Sequence, residues 1–315
     1  MVRILDPGPL TTVQDGGRPG QLRSGIPPSG PVDADAFVIA NRLVGNADGD
    51  AALECTLMGQ RFEVSAPCAI AVTGALMPVT VNRSEAPAWT TVTLAAGDVV
   101  RIAAARAGVR AYVAFAGGIE VPRVLGSRAT YVRGRLGGLE GRALRRGDVL
   151  MLGPSRPRVS RRTVDPRAIP DLDSEPEVRV VLGPQADRFT EAGRAAFLGD
   201  PYEMLPQSDR MGARLRGARI EHARGHDIIS DGIPAGGIQV PGDGQPIVLL
   251  VDRQTTGGYT KLATVCSVDI GRVGQVRPGQ RISFRAIEVV DAHRLLREHR
   301  VALAHAVRDG EGGRA

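Results

Sequence analysis

Glycine and proline cut the apolar stretches of this chain into short pieces. The 315 residues include 40 Gly and 22 Pro. Glycine opens backbone angles closed to other residues, and proline removes a hydrogen-bond donor. Such a chain favours many short elements joined by tight turns over long helices. The longest apolar candidate, Cys68 to Val81, is broken by Thr73, Gly74 and Pro78. It falls short of the ~20 residues needed to span a bilayer, so no membrane segment is expected.

Strands dominate the reading. Ala69 to Thr73, Val92 to Leu94, Val99 to Ile102, Val178 to Leu182 and Ile247 to Val251 are short, β-branched or apolar, and bounded by turns. The two halves echo each other. Arg110 to Gly118 is an apolar strand ending in a glycine pair, and Pro246 to Gly258 is another. A turn and a final strand follow each, at Arg146 to Leu150 and at Pro278 to Ile282. Between the halves, residues 154–177 are rich in proline and charge and read as a linker. The expected organisation is one β subdomain over 1–153, the linker over 154–177, a second β subdomain over 178–290, and a C-terminal helix and tail over 291–315. Helices are few. Asp33 to Val44 has Asp33 as N-cap and stops at Gly45-Asn46. Thr190 to Leu198 is a second, ended by Gly199. Val290 to Val307 is a third, and the closing Glu-Gly-Gly-Arg-Ala is expected to fray.

The formal net charge is +6, but the arginines are scattered and few aromatics offer stacking surfaces, so nucleic acid is not the expected partner. The N-terminus lacks the apolar core of a signal peptide. Three cysteines, Cys55, Cys68 and Cys266, show no CxxC spacing and point to reducing cytosol, hence a cytoplasmic setting. His222 and His226 have HxxxH spacing but no third ligand fixed by spacing, so no metal site is expected. Glycine loops of the Walker, dinucleotide and nucleophile-elbow types are missing. Nor is there a Met-Lys-Met sequence, so this chain carries no biotin of its own. One cation stands out. Lys261 is the single lysine among 40 basic residues. Its compact ammonium does what a rigid guanidinium cannot, or it is a chance survivor; both readings stand on this argument alone.

Three segments hold more glycine and polar residues than a core needs: 11–33, 208–217 and 230–261. In the third, an apolar strand delivers Asp252, Arg253 and Gln254 to its mouth, where side chains are held rigidly. TTVQDGGRPG and GIPPSGPVD, then ANRLVGN, GSRATY, LGGLEGR, SDRMGARL, GIQVPGDGQPIVLLVDRQTTGGY and GQVRPG occur in this order between about Leu5 and Phe284. Together they resemble the family of C subunits of bacterial ATP-dependent 5-oxoprolinase, also labelled KipA or allophanate hydrolase subunit 2. Two departures are visible: Asp231 stands in a Ser-Asp-Gly where Ser-Glu-Gly is usual, and Ala129 where Ser is common.

The resemblance implies a mainly β fold of two tandem cyclophilin-like β-barrel subdomains with a few short helices, like subdomains A and B of the carboxyltransferase part of urea carboxylase. It implies a KipI-like B subunit and a LamB/YcsF-like A subunit as partners. With them the lactam of 5-oxo-L-proline opens to L-glutamate with ATP cleavage. ATP would be shared with the partner subunit, with Mg²⁺, and a homo-oligomer is compatible with the family. A lactam is a poor electrophile, so activating its oxygen calls for cationic clamps. Asp252, Arg253 and Lys261 are the expected catalytic residues. Asp15, Arg18, Ser29, Asp209, Arg210, Gln239, Gln254 and Tyr259 are the expected substrate-binding residues. Two alternatives remain open: a carboxyltransferase subunit of a urea-carboxylase-like biotin enzyme, and a KipA-like regulator that binds a KipI-like kinase inhibitor.

Overall fold

The computed structural model describes residues 1–154 and 160–309. The proline-rich stretch Ser155 to Val159 and the closing Glu311 to Ala315, expected as linker and frayed tail, lie outside the described residues. The chain is mainly β, with 37% strand, 17% helix and four α-helices. None of the described helices is long and apolar enough to cross a membrane. Two compact units divide it. One comprises the described parts of Met1–Arg18, Ser29–Leu172 and Val301–Ala315; the other comprises Pro19–Pro28 and Asp173–Arg300.

In the first unit, two sheets enclose one core. A seven-stranded sheet runs, edge to edge, through Ile119–Glu120, Val149–Leu152, Val2–Asp6, Arg61–Val64, Val99–Ile102, Val79–Val81 and Ser84–Ala86. A five-stranded sheet runs through Thr11–Gln14, Ala52–Thr56, Ala107–Phe115, Cys68–Leu76 and Val92–Leu94. Val2, Ile4, Phe62 and Val100 from the one, and Val13, Leu53, Ile70 and Val113 from the other, belong to a single buried cluster. Phe62 and Phe115 meet edge to face across it at 5.2 Å.

Ala107–Phe115 is buried at every position, and the physical reason is coverage of both faces. Ala111, Val113 and Phe115 point into the core between the sheets. Tyr112 and Ala114 lie under the helix Ala34–Leu43, against Phe37 and Leu43. That helix starts as expected: the Asp33 side chain accepts from Ala36 N at 3.1 Å. The Asp33 backbone N–H in turn donates to the Tyr112 hydroxyl, which donates to buried Glu54.

The second unit closes its hydrogen-bond ladder. Glu177–Leu182, Lys261–Val265, Gly237–Gln239, Ile247–Leu249, Gly212–Arg216, Tyr202–Met204 and Arg281–Ala286 form a closed barrel, sealed by the parallel pair Glu177–Leu182 and Arg281–Ala286. Phe197, on the helix Glu191–Gly199, stacks on Phe284 at 4.6 Å. A separate two-stranded ribbon pairs Asp227–Gly232 with Thr256–Tyr259, and among the described residues neither strand pairs with another.

One expectation needs correction, and one helix goes beyond those expected. The last helix is Val289–Ala304, not a helix to Val307. The chain turns at His305, buries Ala306, and pairs Val307–Asp309 with Arg162–Val164. Asp165 N donates to Ala306 O, and Arg162 forms an ion pair with Asp309, so sheet contacts override helix continuation. A fourth helix, Ile270–Gln275, was not expected from the sequence.

Candidate functional site

The first polar segment folds back on the protein itself. Asp15 is buried, and its Oδ1 accepts from Gly17 N at 2.9 Å and from Ser127 Oγ at 2.6 Å. Its Oδ2 accepts from Arg128 N at 2.5 Å. Arg18, almost wholly buried, donates from Nε to Val124 O at 3.5 Å and from Nη2 to Ala129 O. The two side chains staple the loop around residues 15–18 to the turn at 124–129. Gly30 has φ +81°, and a Cβ there would stand 3.2 Å from Asp15 O and Gly17 N, so glycine permits this approach. Ser29 beside it has φ 55°, and its buried hydroxyl makes no hydrogen bond among the described residues. Sequence reasoning missed Ser127, although it lies inside the GSRATY motif and supplies the bond that orients Asp15.

The second unit gathers the remaining residues at its barrel and ribbon. Asp209 uses Oδ1 to accept from Met211 N at 2.7 Å and Gly212 N at 3.2 Å, closing a turn. That turn presents Arg210, whose Nε and Nη2 reach the two oxygens of Asp252 at 2.8 and 3.3 Å. Both partners are buried, so each neutralises the other away from water. For Asp252 to act as a base, this pair would first have to part.

Arg253 is the neighbour of Asp252 in sequence and its opposite in environment. It is buried, yet its guanidinium meets only carbonyls: Nε donates to Ile233 O at 2.9 Å and Nη1 to Leu250 O at 3.2 Å. No carboxylate pairs with it among the described residues, and burial lowers its pKa from the usual arginine value. A buried cation without a counter-ion is costly, and an anion bound there would relieve that cost.

Lys261 is buried, and its Nζ reaches Asp231 Oδ2 at 3.2 Å. Its backbone N donates to Gln185 Oε1 at 2.8 Å, which fixes the start of the strand. The lysine's hydrogen bond, helped by Gly232 N, holds the Asp231 carboxyl below its usual range. Asp231 was not among the expected site residues. The signal was present: it is the carboxylate of the Ser-Asp-Gly departure. Gln239 is buried, and its Oε1 accepts from Gln254 Nε2 at 3.4 Å. Tyr259 is 42% exposed on the ribbon, 6.4 Å from the His226 ring.

The HxxxH pair is engaged elsewhere. His222 Nε2 lies 3.1 Å from both Val240 O and Thr260 Oγ1, and its ring packs on Phe189 at 4.7 Å. Burial pushes the Cys55 thiol up to about 12 and the Cys68 thiol up to about 11, which keeps both from acting as thiolates near neutral pH. The site's chemistry is therefore one of cations and amide donors: Arg253, Lys261 and Gln239, with Asp252 and Asp231 balancing Arg210 and Lys261. Such a set suits a ligand rich in oxygen acceptors.

Comparison with known proteins gives this geometry a family. The model of the carboxyltransferase domain, subdomain A and B, matches residues 24–286. The chain is 38% identical to the C subunit of 5-oxoprolinase from Escherichia coli over 284 residues, covering 90% of each. It is 33% identical to the C subunit of 5-oxoprolinase from Haemophilus influenzae, covering 96% of each. The crystal structure of Kluyveromyces lactis urea carboxylase superposes with a TM-score of 0.91 at 31% identity, covering 98% of this chain and 29% of that one.

Proposed function

This chain belongs to the carboxyltransferase subdomain A and B family, and on that premise we propose that it is the C-type subunit of an ATP-dependent 5-oxoprolinase. The observation that carries the reading is the reciprocal, nearly full-length match to the bacterial C subunits. Its partners are a KipI-like B subunit and a LamB/YcsF-like A subunit, in the cytoplasm. Together they open the lactam of 5-oxo-L-proline to L-glutamate. In this reading Arg253 grips the substrate carboxylate, and Lys261 reaches the oxygen that gains charge as the ring carbonyl is activated. The Arg210–Asp252 pair holds the turn that presents Arg253.

ATP with Mg²⁺ supplies the activating chemistry when bound. The described residues bring together no group of three or more His, Cys, Asp or Glu side chains. A Mg²⁺ carried by nucleotide phosphates needs only one or two protein carboxylates, and we assign that site to the assembled complex. The isolated chain is accordingly inactive on 5-oxoproline. The test is co-expression with the neighbouring B and A subunits, followed by an assay of ATP hydrolysis with and without 5-oxoproline. Hydrolysis that depends on both 5-oxoproline and this chain supports the proposal. Turnover by the purified chain alone refutes the claim that it needs partners.

The superposition on urea carboxylase favours a second reading, a carboxyltransferase component that acts on urea or a related amide with a biotinyl partner. Urea-dependent carboxyl transfer from a biotinyl protein, in the absence of 5-oxoproline activity, would select it.

A further inference from the structure

Gln239 ends the strand Gly237–Gln239 and stands in register with Ile247 on one side and Lys261 on the other. It is 2% exposed. Its carboxamide oxygen is occupied by Gln254. Its amide nitrogen, equally buried, has no hydrogen-bond partner among the described residues. An N–H group withdrawn from water and left unpaired bears its whole desolvation penalty. Stability does not select for such a group, because methionine fills a similar volume without that penalty.

The covering above it is specific too. A Cβ on residue 257 would stand 2.6 Å from Gln239 Nε2 and 2.7 Å from Ile233 Cδ1, so glycine lets the strand Thr256–Tyr259 lie flush on the amide. That strand pairs only with Asp227–Gly232, and the ribbon they form is largely exposed. Lifting it would leave the barrel's strand pairs in place but would part Asp231, on the ribbon, from Lys261 Nζ. The backbone carbonyl of the same residue, Ile233, accepts from Arg253 Nε at 2.9 Å.

We infer that Gln239 reads the carbonyl oxygen of the substrate, admitted when the ribbon over Gly257 lifts. This rests on the reading of the chain as part of an enzyme that opens a lactam or amide. Gln254 holds the carboxamide oxygen, so the end left over is a donor. A donor fixed in this way donates to a carbonyl oxygen and rejects an N–H or CH₂ group in the same place. Gln239 thereby selects a ring that carries an exocyclic oxygen over the same ring without one.

The experiment uses the full chain with isotope-labelled glutamine side chains, titrated with pyrrolidinone and, separately, with pyrrolidine. The Gln239 amide signal is assigned by its loss in Gln239→Met. The inference expects pyrrolidinone to move that signal and pyrrolidine to leave it in place. In the assembled complex, Gln239→Met should raise the KM for 5-oxoproline by about tenfold or more, with a Tm equal to or above that of the wild type. A signal that ignores pyrrolidinone, or answers both probes alike, overturns the inference. So does a Gln239→Met variant with a lower Tm and an unchanged KM, the mark of a packing role. A response to pyrrolidinone in a complex that fails to open 5-oxoproline would sink the proposed activity while leaving Gln239 as a carbonyl reader.

Discussion

The loop around Asp15 and Arg18 and the turn around Asp252 and Arg253 look alike as sequence. Each is a polar cluster set among glycines. The structure separates them by where their hydrogen bonds go. Asp15 accepts three donors from its own chain, and Arg18 binds the carbonyls of Val124 and Ala129. Among the described residues Arg253 meets no carboxylate, and the Gln239 amide nitrogen has no hydrogen-bond partner. A dense polar motif can thus be a loop staple or a ligand site. The difference lies in the charged groups: the Asp15 carboxylate has its donors within the fold, whereas Arg253 has no carboxylate partner among the described residues, and a buried group without a hydrogen bond stands near each, Ser29 Oγ and Gln239 Nε2.

The largest expected effect tests a paired carboxylate within the barrel unit. Arg210→Met leaves the Asp252 carboxylate buried and unpaired, which should cost about 3–5 kcal/mol of stability. Adding Asp252→Leu should recover most of that loss, because an apolar pair replaces the ionic one. Chemical denaturation of both variants checks it. If the double variant is as unstable as the single, the pair does more than neutralise itself.

The next effect concerns Lys261. Lys261→Arg keeps the charge but replaces a point-like ammonium with a planar fork. The expected result in the reconstituted complex is a loss of about tenfold in rate, about 1.4 kcal/mol in the barrier, with unchanged Tm and assembly. Full activity in that variant would return the single lysine to chance.

A smaller effect sharpens the contrast from the barrel wall. Asp269 is fully buried and takes two guanidinium bonds from Arg179, at 2.6 and 2.7 Å. Burial works to raise its pKa, but the Arg179 side chain and backbone bonds outweigh it, and the net shift is downward from 3.8. A depressed folded-state pKa means stability that is present above the unfolded value and lost as pH falls through the folded one. Acid unfolding of the wild type should therefore show a carboxylate-dependent loss that begins below about pH 3.8. Asp269→Asn should be less stable near neutrality and flatter in that acid range. Parallel acid titrations of the two proteins would expose the idea as wrong.

Much of the fold was legible because local signals and burial agree. Val92–Leu94 and Val99–Ile102 form as read, and Asp33 and Thr190 cap their helices through side-chain bonds to Ala36 N and Gly193 N. The misses have local causes. Ile270–Gln275 is six residues long, contains Gly271 and Gly274, and has no side-chain cap, so its helical signal is weak. Val307–Asp309 continues a helical pattern but is claimed by a strand far away in sequence. For the candidate site, the sequence offers residues and not their pairings. Nothing in the sequence distinguishes Asp252, bound to Arg210 from 42 positions earlier, from its neighbour Arg253, bound to no carboxylate. Pairing across distant segments is tertiary information.

The most direct test of this distinction sets Arg253→Met beside Asp15→Ala in the reconstituted complex, with rate and Tm measured on both. Arg253→Met removes an uncompensated buried charge. It should lose about a hundredfold or more in 5-oxoproline-dependent ATP hydrolysis, about 2.7 kcal/mol in the barrier, while its Tm stays level or rises. Asp15→Ala should do the reverse, losing about 3 kcal/mol of stability through its unpaired donors while each folded complex keeps most of its rate. A fall in Tm for Arg253→Met with activity retained, or a dead but fully stable Asp15→Ala complex, would contradict the account.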